Sequence, residues 1–351
     1  MSVTDYVAAH RLRVGILLAI LALGAVLVVW LDLPFWQLLT VGYLERSLRA
    51  ATPIALAAIG GLYAEKSGVF NIGLEGFMIF GAVDASVVAW LVSSGDTMSQ
   101  ASLWIGILAA VVISVLLTAV FALLTIRYKA NQIVAGLAVW FVGLGFGPFL
   151  SIVVWNDVSS PPLANVDKVT IPLLADLPVL GRLFFDASPL VLLTIALAVA
   201  AWGVLYYTRY GYWLRAAGEN PAALDTAGIS VNRVRYAAVL FSGAMAGLAG
   251  ATLSLGIGRG FTGTGVTMVD GRGWIGIVAY LFGNYNPIGA YLASLLFGAT
   301  EMLQIQLQTI GVGLPGSLVE LFPYVAVIVV LTLFGSTRVP SAVGESYESE
   351  E

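Results

Sequence analysis

Apolar residues run in long blocks from residue 14 to residue 335, separated by short clusters rich in Gly, Pro, Arg and Asp. A helix needs about 20 mostly apolar residues to cross a bilayer. Blocks of that kind recur at 14–31, 48–64, 72–92, 102–126, 131–155, 189–207, 234–256, 287–308 and 317–335, with a shorter one at 274–283. The pattern predicts an all-α polytopic membrane protein whose membrane domain covers 14–335. It holds about ten transmembrane helices (eight to ten, since 48–64 and 274–283 fit least well), with short broken or re-entrant helices among them. Arg46 and Arg49, in "WQLLTVGYLERSLRA", suit an interfacial segment.

Two polar interruptions stand out. Residues 156–188 are rich in Pro and Asp, and are expected to fold as a cap or hairpin outside the membrane. The second, 208–233, contains "LRAAGENPAALDTAGISVNRV". Asn220 is suited to cap a helix by accepting a backbone N–H, and Pro221 to occupy its first position. Gly228 is suited to end it in the left-handed conformation. Such a helix has about two turns and cannot cross a membrane. Arg209, Arg215, Arg233 and Arg235 flank it, which places it on the cytoplasmic face, where Lys and Arg accumulate. The same rule puts the leader 1–13 and the acidic tail 336–351 in the cytoplasm. The tail, "SAVGESYESEE" at its end, is expected to be disordered.

Composition closes off several chemistries. Hydrophobic residues make up 59% of the 351 and charged residues 10%, against about 25% charged in soluble domains. No soluble core could bury such a chain. Cysteine is absent, which removes disulfides and thiolate metal sites. The one histidine, His10, lies in the leader, so no Ser–His pair can form within the membrane. The first apolar block is longer than a secretory h-region and lacks a small-x-small cleavage site, so it is read as a retained helix. "GGLYAEKS", Gly60 to Ser67, approaches a Walker A sequence but carries Glu65 where glycine is required. Two Gly-x-Gly-x-x-Gly strings, from Gly258 and from Gly271, are not set between a strand and a helix and suit broken backbone at the outer mouth. No cofactor is expected on this chain, and no nucleic-acid partner.

The polar residues inside the apolar blocks are the candidates for function. In "SGVFNIGLEGF", Asn71 and Glu75 share a helix face at i, i+4, close to the expected cytoplasmic boundary. A charge at the bilayer centre costs about 2.5–3.5 kcal/mol on insertion scales, so such residues face a cavity or a partner. Glu75 therefore either anchors neighbouring backbone or an arginine, or faces a translocation path. Glu301, Gln304 and Gln308 make a polar stripe at i, i+3, i+7, and Asp84 is a further buried acid. Trp140, Phe141, Trp274 and Asn284 offer aromatic surface and an amide. "SGAMAGLAG" and "GLGFG" have small-xxx-small spacing for close helix packing. "NIGLEGFMIFGA" and "GRGWIGIVAYLFGNYNPIGA" echo one another weakly.

Several blocks, in order and spacing from about 50 to 335, resemble one family. "LRAAGENPAALDTAGISVNRVRYAAVLFSGAMAGLAGA" looks like the coupling-helix region of permease subunits of ABC importers for branched-chain amino acids, simple sugars and nucleosides. "GLYAEKSGVFNIGLEGFMIFGA", "ANQIVAGLAVWFVGLGF", "GRGWIGIVAYLFGNYNPIGA" and "GATEMLQIQLQ" resemble its other signatures, most of all in the second of the two nucleoside-type permeases. The resemblance implies a permease of the cell membrane with no ATPase site. It implies as partners a second permease, ABC ATPases that bind ATP and Mg, and an extracytoplasmic substrate-binding lipoprotein. It carries Arg215, Gly218, Glu219, Asn220, Pro221, Ala222, Leu224 and Gly228 over as the ATPase-coupling residues. The substrate it implies is a nucleoside; a simple sugar of the ribose or galactose type is the alternative within the family. An ion-coupled secondary transporter using Glu75, Asp84 or Glu301 is the alternative outside it.

Overall fold

The computed structural model describes residues 40–93, 98–310 and 338–348. The leader and the apolar blocks 14–31 and 317–335 lie outside them. Among the described residues are ten α-helices: α1 Val41–Lys66, α2 Leu74–Val92, α3 Gln100–Ala122, α4 Gln132–Trp155, α5 Pro189–Tyr207, α6 Arg209–Glu219, α7 Pro221–Thr226, α8 Val231–Ala251, α9 Arg272–Phe282 and α10 Pro287–Ile310. α3 and α8 continue as π-helical turns over Leu123–Arg127 and Thr252–Ile257. Six of the helices among the described residues are long and apolar enough to cross a membrane: α2, α3 with its extension, α4, α5, α8 with its extension, and α10.

α1 starts earlier than the apolar block 48–64. Its 26 residues begin at Val41, capped by the Thr40 hydroxyl, and run unbroken through Arg46 and Arg49. Arg46 and Arg49 are tolerated inside it because neighbours bond them. Arg46 Nη2 donates to Gln306 Oε1 at 2.7 Å, and Arg49 Nη2 to the Gly256 carbonyl at 2.9 Å. With about 39 Å of rise and five charged residues, α1 is long enough to span yet is not one of the six. Every residue from Ala50 to Glu65 is buried.

Burial sorts the helices into layers. The apolar stretches of α2 and α8 are 78% and 83% buried, whereas those of α3, α4, α5 and α10 are 17–33% buried. α1, α2 and α8 therefore form the centre. The outer helices turn Leu108, Leu116 and Val153 outward, as a lipid-facing surface requires. The centre closes because small residues let backbones meet: a Cβ on Gly81 would lie 2.4 Å from the Gly247 carbonyl oxygen.

Residues 156–188 hold no span. They carry a two-stranded antiparallel ribbon, β1 Val169–Thr170 with β2 Asp186–Ala187. The stretch before it is laced to 255–261 by main-chain bonds from Ser160, Leu163 and Val166. At the opposite end α6 and α7 follow α5 directly. Of the tail expected to be disordered, residues 338–348 are laid against them: Ala342 N–H donates to the Gly218 carbonyl at 2.8 Å and Gly344 N–H to that of Gly68 at 3.1 Å. Main-chain pairing and burial of Ala342 fix it, and an acidic composition does not disclose either.

Candidate functional site: two helix starts at a buried carboxylate

The chain between α1 and α2 is irregular and carries Asn71 into the bundle. The Asn71 side chain accepts from Gly73 N–H at 3.1 Å and donates to the Ser242 hydroxyl at 2.9 Å. Ser242 lies 11 residues into a 27-residue helix, about 16 Å along a length of about 40 Å. Asn71 is thus well inside, not at the boundary where the sequence pattern put it. The correction follows from residues 67–73 climbing as open backbone, held by Phe70 N–H on Gln132 Oε1 at 2.6 Å. α2 consequently starts part-way through the bundle.

α9 starts at the same place. Gly271, at φ +79°, caps it. The N–H groups of Gly271 and Gly273 donate to the two oxygens of Glu75, at 2.8 and 2.7 Å. Glu75 lies in the first turn of α2 and is 2% exposed. One carboxylate therefore meets the positive ends of two helices, an arrangement that helix dipoles and unpaired N–H groups favour. The buried acid is accounted for: it anchors backbone. The second Gly-x-Gly-x-x-Gly string opens α9, and the two echoing segments are the two helices that meet here.

The other candidates lie at different distances from this junction. Trp274 stands edge-to-face with Trp140 at 5.6 Å between ring centres, and Trp140 tilts against Phe141 at 5.0 Å. Phe141 itself is exposed on the outer side of α4. Arg272, beside the cap, pairs with Glu301 of α10 while donating to the Met268 and Val269 carbonyls. Gln304 is half-buried and Gln308 exposed farther along α10. Asp84 is buried nine residues, about 13 Å, beyond Glu75 along α2.

Asn284 does not belong to the junction. It sits at φ +49° in the α9–α10 turn, where its side chain accepts from Arg338 N–H. That turn lies beside a group that sequence reasoning missed. Glu65, near the end of α1, receives the hydroxyls of Tyr280 and, at 2.6 Å, Tyr285. Nothing local marks these residues, which are 215 and 220 positions away from Glu65. Gly271, Gly273, Arg272 and Ser242 were missed for the same reason, although the glycine string was a visible signal. The described residues contain no cluster of acids and histidine able to hold a metal.

The polar loop contains the expected short helix. Asn220 Oδ1 accepts from Ala223 N–H at 3.0 Å, Pro221 is the first residue of α7, and Gly228 adopts φ +77° just after it. Residues before Asn220 are not loop but α6, an 11-residue helix with one apolar edge. Gly218 lies where a Cβ would be 2.3 Å from the Lys66 carbonyl oxygen, so α6 rests directly on the end of α1. Leu224 is buried with Ala217 and Val231, whereas Ala222, Glu219 and Gly228 are exposed. Arg215 folds back over the Tyr206 and Tyr212 rings.

The sequence is similar to several known proteins. The chain is 38% identical to the nucleoside ABC transporter permease protein NupC of Lactococcus lactis over 301 residues, covering 85% of this chain and 93% of that protein. It is 36% identical to the guanosine ABC transporter permease protein NupQ of Bacillus subtilis, with the same coverage of both. It is 31% identical to the putative glucose ABC transporter permease protein TsgC13 of Haloferax volcanii, over 88% of this chain and 98% of that one. No solved structure matches. The family described as branched-chain amino acid transport system / permease component matches residues 43–331, and this chain, a multi-pass membrane protein, belongs to it.

Proposed function

We propose that this chain is the membrane-spanning subunit of an ATP-driven importer and forms the path taken by nucleosides. The observation that carries the reading is similarity, over 85% of the chain, to permeases named for nucleosides and guanosine. The junction suits such cargo chemically. Indole faces stack on bases, and the part-exposed Arg272 and Glu301 supply donors and acceptors for hydroxyls and ring nitrogens. Helix starts meeting inside the membrane are a common way for transporters to build a site.

On this reading the six long apolar helices, α1, the half-length α9 and the blocks 14–31 and 317–335 together make about ten spans, with both termini cytoplasmic. α7 is the coupling helix. Glu219, Asn220 and Pro221 carry the docking, supported by Arg215, Gly218, Ala222, Leu224 and Gly228. The chain hydrolyses nothing; ATP and Mg belong to separate ATPase subunits, and "GGLYAEKS" is helical from Gly60 to Lys66. A second permease and a substrate-binding lipoprotein complete the assembly. ATP binding shifts the spans only by as much as the ATPases hold one arrangement of α7 more tightly than the other.

The test is ATP-driven uptake in proteoliposomes holding the chain with its ATPases, second permease and binding protein, with unlabelled nucleosides and simple sugars as competitors. Nucleosides are expected to compete. Competition by sugars alone selects the second reading, which rests on the 31% identity to the putative glucose permease. Uptake by the chain alone on an ion gradient, with no ATPase co-purifying, replaces both with the ion-coupled carrier.

A further inference from the structure

Residues 338–348 make more bonds than a solvated tail requires, and the bonds reach three places at once. Ser341 donates to the Glu219 carbonyl at 2.7 Å, and Ala342, 5% exposed, pairs with Gly218. Both partners are the last residues of α6. Tyr347 packs against the apolar cluster of Ala217, Leu224 and Val231, and its hydroxyl donates to Asp225 of α7 at 2.9 Å. Between these contacts the segment crosses the loop that leads to Asn71. Gly344 bonds Gly68, and the buried Arg235 of α8 donates to the carbonyls of both Ser67 and Glu345, at 3.2 and 2.9 Å. Glu348 then pairs with Lys129 beyond α3.

From this geometry we propose that residues 338–348 are a positioning strap, which locks α6 and α7 to the broken junction before α2 so that movement of one is movement of the other. The inference rests on the importer reading and adds a part to it. Which side the strap takes matters. It covers Leu224 and Asp225, whereas Ala222, Ala223, Thr226 and Ala227 of the α7 segment stay exposed. The small-residue face remains open for an ATPase groove, and the strap braces the helix from behind. A cover that had to be displaced before docking would lie over the open face instead.

The experiment uses the whole importer in proteoliposomes and reads substrate moved per ATP hydrolysed, with co-purification of the ATPase as a separate readout. If the unaltered chain fails to bind an ATPase, the importer reading fails and the strap is not at issue. If it binds, the variant ending at residue 337 is expected to keep the ATPase while the transport-to-hydrolysis ratio falls roughly tenfold, within the usual range of coupling between two sites. Should that variant not insert, Tyr347→Ala and Ala342→Asp in the full chain are read in its place. A ratio unchanged in the truncated or the substituted chains overturns the proposal. The absence of cysteine allows a second test: Lys129→Cys with Glu348→Cys, joined by a short thiol cross-linker. A brace tolerates the cross-link and uptake continues; loss of ATPase binding on cross-linking overturns the brace in favour of a displaceable cover.

Discussion

Gly273 of α9 lies against the backbone of Glu75 in α2 so closely that a Cβ added to it would stand 2.6 Å from the Glu75 nitrogen and 2.7 Å from its Cα. Neither atom belongs to a side chain that could swing aside, so any larger residue must push α9 away. Gly273→Ala is expected to lower uptake severely while the protein still inserts. Gly145→Ala is the control, since a Cβ there meets nothing within 4 Å; on propensity alone it is neutral or stabilising by up to about 1 kcal/mol. Equal uptake from the two variants would show that the close approach is not needed.

Glu75→Gln keeps the shape and removes one of two acceptors. A side-chain amide turns its NH2 toward either Gly271 or Gly273, leaving a buried N–H without its bond, at about 1–3 kcal/mol. The apparent melting temperature in detergent is expected to fall. Glu75→Asp, with both acceptors on a shorter stem, is expected to retain more stability than the amide. The reverse order would mean that side-chain length, and not the pair of acceptors, is what the site requires.

The Glu65 group gives a coupled prediction. Tyr280→Phe and Tyr285→Phe each remove one hydroxyl from a buried carboxyl group, at about 1–2 kcal/mol apiece. The double variant strips both hydroxyl donors, and is expected to lose more than the sum of the singles, because each single variant still leaves the buried carboxyl group one of them. A thermal double-mutant cycle measures this. Additive losses would show that the two hydroxyls act independently.

Removing the start of α7 separates coupling from folding. Asn220→Ala deletes a helix cap, typically about 1 kcal/mol, and Pro221→Gly frees the first turn. The double variant is expected to insert normally and to lose ATP-driven uptake. Unaltered uptake would transfer the coupling role to α6 or elsewhere.

Much of this protein was legible in one dimension. Apolar blocks near the length of a bilayer crossing fixed the class, because a run of that length has no other place to go, and they located most helices to within a few residues. The α7 segment was equally plain, since Asn220 and Gly228 bond residues three positions away and Pro221 acts through its own fixed φ. Where charge conflicted with apolarity the start of the helix was not legible: α1 begins before Arg46 and Arg49, whose partners, Gln306 and Gly256, are more than 200 residues distant.

The amino-acid order by itself determined that this chain crosses a membrane, that it carries no thiol or histidine chemistry within it, and that Asn71 and Glu75 needed explaining. Only the tertiary structure decided what they do. Asn71 is drawn inward because open backbone precedes it and Ser242 waits on another helix, and the oxygens of Glu75 are satisfied because two N–H groups from residues 196 and 198 positions away converge on it. The same holds for the tail, whose acidic composition suits solvent but whose main chain pairs with α6 and the α1–α2 loop. Local preferences act over a few residues, whereas a buried polar group is satisfied by whatever the fold brings near, and that partner has no signature in the sequence around it.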